Sequence, residues 1–471
     1  AIFLTGRGQL YLQDSEIMSA YGILSGGAIA ATEFSSVVFN TVTVRNCTST
    51  YGAGMYMFDT SSLDCTSCNF VSNTVLGNGG ALFLSGSSLS QFSLSYFYRN
   101  TAFLGGGAIF STSDSYAWWY NSSFIQNSAG LGGAFWLEAT SHVLFPASKN
   151  ATTLLFNTAS SGGAIYMLEF SQVALAQCIA AFNVAQSGSG GLISSSSNGT
   201  IIAHDIKATS NSAWNGGAIA LNMTAPSLDP DSNIPLQLTG SEFVNNLAND
   251  TDGVLSQPSF GAQSLFGGGA LFFQAPSSLL QTSSSSIHAV TSTASFLGNF
   301  ARYGPHFASS PFSVVQSSSK GIPTTALRTS SPVAVVPGLE WHTEFTIVDV
   351  MGQNVTTVTG FTVQANCELC DNPVTYFSSS NGSVVIRFST KVEGPRNISA
   401  SVSGFSSSLF PQADDTIPMQ IQTCPEGYGY NPSFGCRPCD RNSFSVDNPN
   451  FPQTCIQCTS CGSSSSSSAS C

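Results

Sequence analysis

An all-β fold dominated by a right-handed parallel β-helix is what this 471-residue sequence predicts, on three observations. A Gly-Gly-Ala-apolar tetrapeptide recurs, degenerate copies included, at intervals of 26 to 30 residues over the first three hundred, with a last interval of 52 that reads as two periods. A Phe-x-x-Asn motif runs in phase with it. Between the motifs, apolar runs last four to six residues and are broken by Gly, Ser and Asn, which is strand length, and no period of 3.6 persists. A fixed period of this size is the mark of a stacked repeat array.

The tetrapeptide begins at Gly26, Gly79, Gly106, Gly132, Gly162, Gly216 and Gly268, with degenerate copies at Ala53-Gly54-Met55-Tyr56 and Gly190-Gly191-Leu192-Ile193. One such unit cannot bury its own apolar face, and stacking identical units at ~4.8 Å does so. Residues 1–308 are expected to hold about eleven coils, with an insertion at 222–262 marked by Pro226, Pro230, Pro235 and Pro258. The right hand follows from the general preference of parallel crossovers.

Stacking sets like on like. Asn73, Asn100, Asn127, Asn157, Asn183, Asn211, Asn246 and Asn299 are expected to form a structural amide ladder, with Asn46 as an earlier rung. Phe70, Phe97 and Phe124 are expected to stack beside it. Gly supplies tight corners and close backbone approach. These positions read as scaffold.

The paired motifs, Gly-Gly-Ala-Ile and Phe-x-x-Asn, resemble the repeats of the chlamydial polymorphic outer membrane proteins over roughly residues 1–305. The resemblance implies a surface-exposed β-helix with adhesive roles. No autotransporter barrel follows the repeats. The order of β-helix, β domain and cysteine-rich tail is more similar to large surface proteins of protists and algae.

Residues 309–331 are Ser-rich and read as a linker or a cap over the last coil. From 332 to 423 the repeat stops. Apolar runs at Val333–Val336, Phe345–Val348, Phe361–Val363, Val384–Phe388, Ile398–Val402 and Met419–Ile421, with turns at Gly352 and Asn381-Gly382, predict an immunoglobulin-like sandwich. Cys367 and Cys370 are close enough in sequence for a local disulfide.

Residues 424–471 carry seven of the 13 cysteines: Cys424, Cys436, Cys439, Cys455, Cys458, Cys461 and Cys471. Cys436-x-x-Cys439 and Cys455-x-x-Cys458 have a formal zinc-ribbon spacing. The extra cysteines and the small core favour disulfides, as in secreted modules. Cys424-Pro425-Glu426-Gly427, the two Cys-x-x-Cys pairs and Phe444-Ser445 resemble the ephrin-receptor-like cysteine-rich module over 424–461. The odd total of cysteines, and Ala1-Ile2-Phe3-Leu4 standing one period before Ala28-Ile29 without its Gly-Gly, suggest a piece of a longer protein. Within the repeats Cys47, Cys65, Cys68 and Cys178 either pair locally or stay buried.

Glycosylation sequons stand at Asn121, Asn150, Asn198, Asn222, Asn249, Asn354, Asn381 and Asn397. Asn46 heads a ninth, and its ladder place is expected to shield it. In so Asn-, Ser- and Thr-rich a chain most of this number is expected by chance, so it adds little to the extracellular reading.

Charged residues make up 8% and the net charge is −12. With no basic stripe, nucleic acid is excluded as a partner by phosphate neutralisation. No run of 18 apolar residues occurs, so no membrane span is expected in this segment. Enzyme chemistry finds little purchase. Residues 1–310 hold 14 acidic and 6 basic residues, scattered, with no convincing acidic pair lining a groove as the opposed carboxylates of a glycosidase would. His142, His204, His288, His306 and His342 show no metal spacing. Asp229, Asp231 and Asn249-Asp250-Thr251-Asp252-Gly253 read as acidic turns rather than as a Ca²⁺ loop, which needs more oxygen ligands and a distal Glu. No catalytic residue, metal or cofactor is expected. Tyr116, Trp118, Trp119 and Tyr120 are either a sugar-stacking platform or packing over a coil corner.

The sequence therefore points to a non-enzymatic extracellular structural or adhesive protein, a rigid glycosylated rod at the cell surface. Its partners are other extracellular proteins, further copies of itself, and glycans. Two other readings stand beside it: a subunit of an extracellular filament or flagellar appendage, and a polysaccharide-binding or -cleaving β-helix.

Overall fold

The computed structural model describes residues 1–196, 199–222, 236–249, 267–274 and 294–309, and beyond these a set of strands and short turns between 311 and 457. The chain divides into two units. One is Ala1–Ser310 with Asp349–Gln353, the other Pro311–Val348 with Asn354–Cys471.

The first unit is a parallel β-solenoid. Its strands lie in three parallel sheets, of eleven, 17 and nine strands. The eleven-stranded sheet begins with Ile2–Leu4, Ile29–Ala31, Met55–Met57 and Leu82–Leu84 and ends with Leu271–Gln274 and Phe307–Ser309. Register is kept residue by residue: Leu82 pairs with Ile109, Ile109 with Phe135, and Phe135 with Ile165. All four are fully buried. Successive side chains of a strand point to opposite faces, so each coil adds its apolar residue to one continuous core.

The Gly-Gly pair performs two tasks. The first Gly takes the left-handed conformation at the corner, as at Gly106 (φ 64). The second lies against the next coil: a Cβ on Gly107 would sit 2.2 Å from Gly133 O and 2.6 Å from Ser128 O. One degenerate copy is shifted from the sequence alignment. Gly52, not Ala53, holds the positive-φ corner, and Met55, not Tyr56, pairs with Ile29. The slip by one turns Met55 into the core and Tyr56 outward. A further copy, Gly304-Pro305-His306-Phe307, went unrecognised because only its first Gly survives. Phe307 pairs with Leu271.

Inside the expected 222–262 insertion, 236–249 is regular. Leu236–Thr239, Glu242–Val244 and Leu247–Ala248 join the sheets in register with the coil before. Asp229, Asp231 and 250–253 lie outside the described residues.

The core is aromatic. Phe70 stacks on Phe97 at 4.8 Å and Phe97 on Phe124 at 4.9 Å. Leu154, Ala180 and Ala208 then hold the same place before Phe243 and Phe296 resume the stack at 5.3 Å. Parallel rings at these separations contribute about 0.5–1.5 kcal/mol each beyond area burial.

In the second unit the strands of 311–421 form a three-stranded sheet (Pro311–Ser317, Trp341–Asp349, Ser383–Phe388) and a five-stranded sheet (Val333–Val335, Asp415–Ile421, Gly394–Ser403, Thr362–Asn366, Val374–Ser378). The expected linker at 309–331 thus contains a sheet strand, 311–317. Val374–Ser378 is a strand that the apolar runs did not reveal. Two hairpins follow, Tyr428–Asn431 with Gly435–Pro438 and Ser443–Asn448 with Phe451–Gln457. Among the described residues, no helix is long and apolar enough to cross a membrane.

Candidate functional site

The ladder asparagines lie on one line through the solenoid. Each Nδ2 donates to Oδ1 of the next Asn, at 3.0 Å from Asn73 to Asn100, 3.1 Å from Asn100 to Asn127 and 3.0 Å from Asn127 to Asn157. The same contact joins Asn157 to Asn183, Asn183 to Asn211, Asn211 to Asn246 and Asn246 to Asn299. Each Nδ2 also donates to a backbone carbonyl of the preceding coil, as Asn127 does to Phe97 O at 3.1 Å. Each Oδ1 past the first accepts a second bond from the backbone N–H of the Asn before it, as Asn127 does from Asn100 N at 3.0 Å. An amide has two donors and two lone pairs, so an interior rung is fully satisfied while buried.

Asn46 is not a rung. Cys47 holds that place, and its N–H donates to Asn73 Oδ1 at 3.0 Å. Asn46 is the corner residue before it, exposed and left-handed (φ 54). The corner recurs before later rungs, at Ser72, Arg99, Gln126, Phe156, Phe182, Ser210 and Asn245. The residue two after every ladder Asn is Ala or Val, so no rung heads a sequon.

Asn150 and Asn354 are exposed, and Asn121, Asn222 and Asn249 are half-buried. Asn121 occupies a left-handed corner (φ 52). Asn397 lies in the strand Gly394–Ser403, and Asn198 and Asn381 fall outside the described residues.

Cys65 and Cys68 form a disulfide inside the solenoid, and Cys424 pairs with Cys436. Cys439 is disulfide-bonded, and Cys455 lies in the strand Phe451–Gln457. Cys367, Cys370, Cys458, Cys461 and Cys471 fall outside the described residues. Cys47 and Cys178 are buried free thiols, and burial pushes Cys178 up to about 12. Thiolate chemistry at neutral pH is thereby suppressed.

The strand Tyr116–Tyr120 splits the aromatic cluster. Trp119 is fully buried and stacks on Phe92 at 4.1 Å, while Tyr116, Trp118 and Tyr120 face outward. Tyr116 lies parallel to His142 of the next coil, 4.5 Å away and 7° apart. Parallel rings that close must overlap face to face, so their normals run along the stack. Trp118 is within 19° of Tyr116. The rings stand on edge, and the next coil covers the Tyr116 face that would stack on a sugar.

A second aromatic stripe was missed by sequence reasoning. On the outer side of the eleven-stranded sheet, Tyr56, Phe83, Phe110, Trp136 and Tyr166 succeed one another in register. Tyr56 and Phe83 stack at 5.0 Å, Phe83 and Phe110 at 4.8 Å. Phe110 is only 3% exposed. Its signal was present: an aromatic residue follows the apolar member of each of these tetrapeptides once the copy at Gly52 is aligned.

Beside this stripe, burial raises the Glu138 carboxyl, with Glu169 adding to the effect and a Thr112 hydrogen bond opposing it. His142 bonds Gln172 at 2.9 Å, and His204 lies 3.2 Å from Asp205. His306 O accepts from the sheet, whereas His288 and the His342 side chain fall outside the described set. Among the described residues, no group of three or more His, Cys, Asp or Glu is placed to hold a metal ion.

Comparison with protein families, with characterised proteins and with solved structures yields no match to this chain.

Proposed function

We propose that the chain is a non-enzymatic extracellular structural or adhesive protein, whose solenoid serves as a stiff spacer and contact surface. The unbroken amide ladder from Asn73 to Asn299 is the observation that carries this reading. It ties successive coils through buried side chains as well as backbone, which suits a part whose task is to keep its form. The coil is right-handed in this reading. The three- and five-stranded sheets form an immunoglobulin-like sandwich, and the tail around Cys424–Cys436 is an ephrin-receptor-like module. The test is electron microscopy of the native protein purified without reduction. Separate short rods are the expected result, and a globular particle without a rod overturns it.

Assembly into a filament is the second reading. It is supported by exposed apolar residues at one corner in three of the first four coils: Ile23, Leu24, Leu76 and Phe103 are each 69–76% exposed, with Thr50 at that corner in the coil between. Regularly spaced rods in the same micrographs would favour it.

A further inference from the structure

Among the described residues, the last strand of the eleven-stranded sheet, Phe307–Ser309, has a neighbouring strand on one side only. In a strand, the N–H and C=O of one residue share a side and those of the next residue face the other. His306 O accepts from Leu271 N at 3.0 Å. The groups of Phe307 and Ser309 therefore face the side without a strand. Such an edge is a template for another strand.

Side chains occupy it instead. Ser309 N donates to Asp349 Oδ2 at 3.2 Å, and Gln353 Nε2 donates to Phe307 O at 3.0 Å. A parallel partner strand would supply this same pair, one acceptor for Ser309 N and one donor for Phe307 O. Tyr303 Oη donates to Ser309 O at 2.7 Å. The turn holding the two side chains is itself braced. Asp349 Oδ1 accepts from Met351 N and Gln353 N, both at 2.9 Å, and Asp349 N donates to Gln353 O at 3.0 Å. Asp349 is 1% exposed.

We infer that Asp349 and Gln353 form an end stop: they stand in for the peptide groups of a next strand and close this sheet edge against strand addition by a second copy of the chain. The inference rests on the solenoid alone and not on the functional reading above.

The test uses the full chain carrying Asp349→Ala with Gln353→Ala, followed by sedimentation velocity over a concentration series and by hydrogen exchange at the Ser309 amide. The expected result is exchange at Ser309 faster by at least about tenfold, with association that grows with concentration beyond wild type. Adding Ser309→Pro removes the edge N–H and is expected to abolish that association. Gln353→Ala alone, which leaves the Asp349 turn intact, is expected to give a weaker form of the same association and covers the case in which the double variant does not fold. Sedimentation equal to wild type in a folded variant overturns the end stop, as does association that persists with Ser309→Pro.

Discussion

Asn100 donates twice to one atom: its Nδ2 and its backbone N–H reach Asn127 Oδ1 at 3.1 and 3.0 Å. Removing Asn127 thus strands donors and acceptors on both sides. Asn127→Ala leaves both Asn100 donors, Phe97 O and one lone pair of Asn157 without their partner. At about 1–3 kcal/mol per orphaned buried group, partly relieved by relaxation, the expected loss is about 3–5 kcal/mol. Asn73→Ala should cost less, because Asn73 Oδ1 accepts only from Cys47 N. Guanidinium midpoints, with hydrogen exchange to locate the opening, check the order; equal costs would count against the cooperative ladder.

Gly107→Ala should do more damage than its size suggests. The added carbon meets backbone of the next coil, Gly133 O at 2.2 Å and Ser128 N at 2.7 Å, which no rotamer can evade. A loss above about 3 kcal/mol is expected, with loss of parallel-sheet signal in the far-ultraviolet spectrum. A stable Gly107→Ala protein would show that the coils part more easily than their register implies.

Leu94 runs the other way. It is 58% exposed in a left-handed corner (φ 53), a place held one coil later by Asn121. Asn tolerates this conformation and Leu does not. Leu94→Asn should stabilise the protein by about 0.5–1 kcal/mol, read as a raised melting temperature.

Asp349 makes the end of the solenoid sensitive to a rise in pH. Desolvation raises its carboxyl from 3.8 to about 6, against the opposing hydrogen bonds from Gln353, Ser309 and Met351. Tyr303 faces it, its hydroxyl pushed up by burial and by the Asp349 charge. The folded state then binds a proton more readily than the unfolded one, so stability falls as pH rises between 3.8 and about 6. The turn should be firmer at pH 5 than at pH 7.5, by roughly 1.4 kcal/mol. Hydrogen exchange at Ser309, corrected for intrinsic rate, measures this, and Asp349→Asn should erase the difference.

Asn46 should carry a glycan when the chain is made in a secretory host. It is exposed at its corner and heads Asn46-Cys47-Thr48. Glycopeptide mass spectrometry should find sugar at Asn46 and Asn150. Sugar at Asn150 with Asn46 bare would refute the claim about Asn46; both bare would count against the extracellular reading.

Much of the solenoid was legible because stacking sets each residue on its own equivalent. Gly-Gly, Phe-x-x-Asn and the ladder could be read as columns. Misreadings arose where one residue broke a column. Cys47 stood for Asn, Gly52-Ala53-Gly54 allowed two alignments, and Gly304-Pro305 lost its second Gly. The prolines near 230 disguised a regular coil at 236–249. The outer stripe from Tyr56 to Tyr166 was overlooked because its members differ, though each is aromatic. Asp349 and Gln353 carried no period at all, and their partners Ser309 and Phe307 lie 40 and 46 residues away. Only the folded chain brings those four together.

The in-register ladders also set how the solenoid would yield under load. Pulled along the stacking axis, neighbouring coils are held by parallel hydrogen bonds that open together, while interfaces further along carry the same force in series. The weakest interface breaks first and frees one coil, which between Asn73 and Asn211 is 26 to 30 residues, a gain of roughly 90–100 Å of extended chain. Tension would therefore be spent coil by coil, in near-equal steps up to Asn211 and longer ones beyond it, and the molecule would behave as a graded shock absorber rather than a strut that snaps.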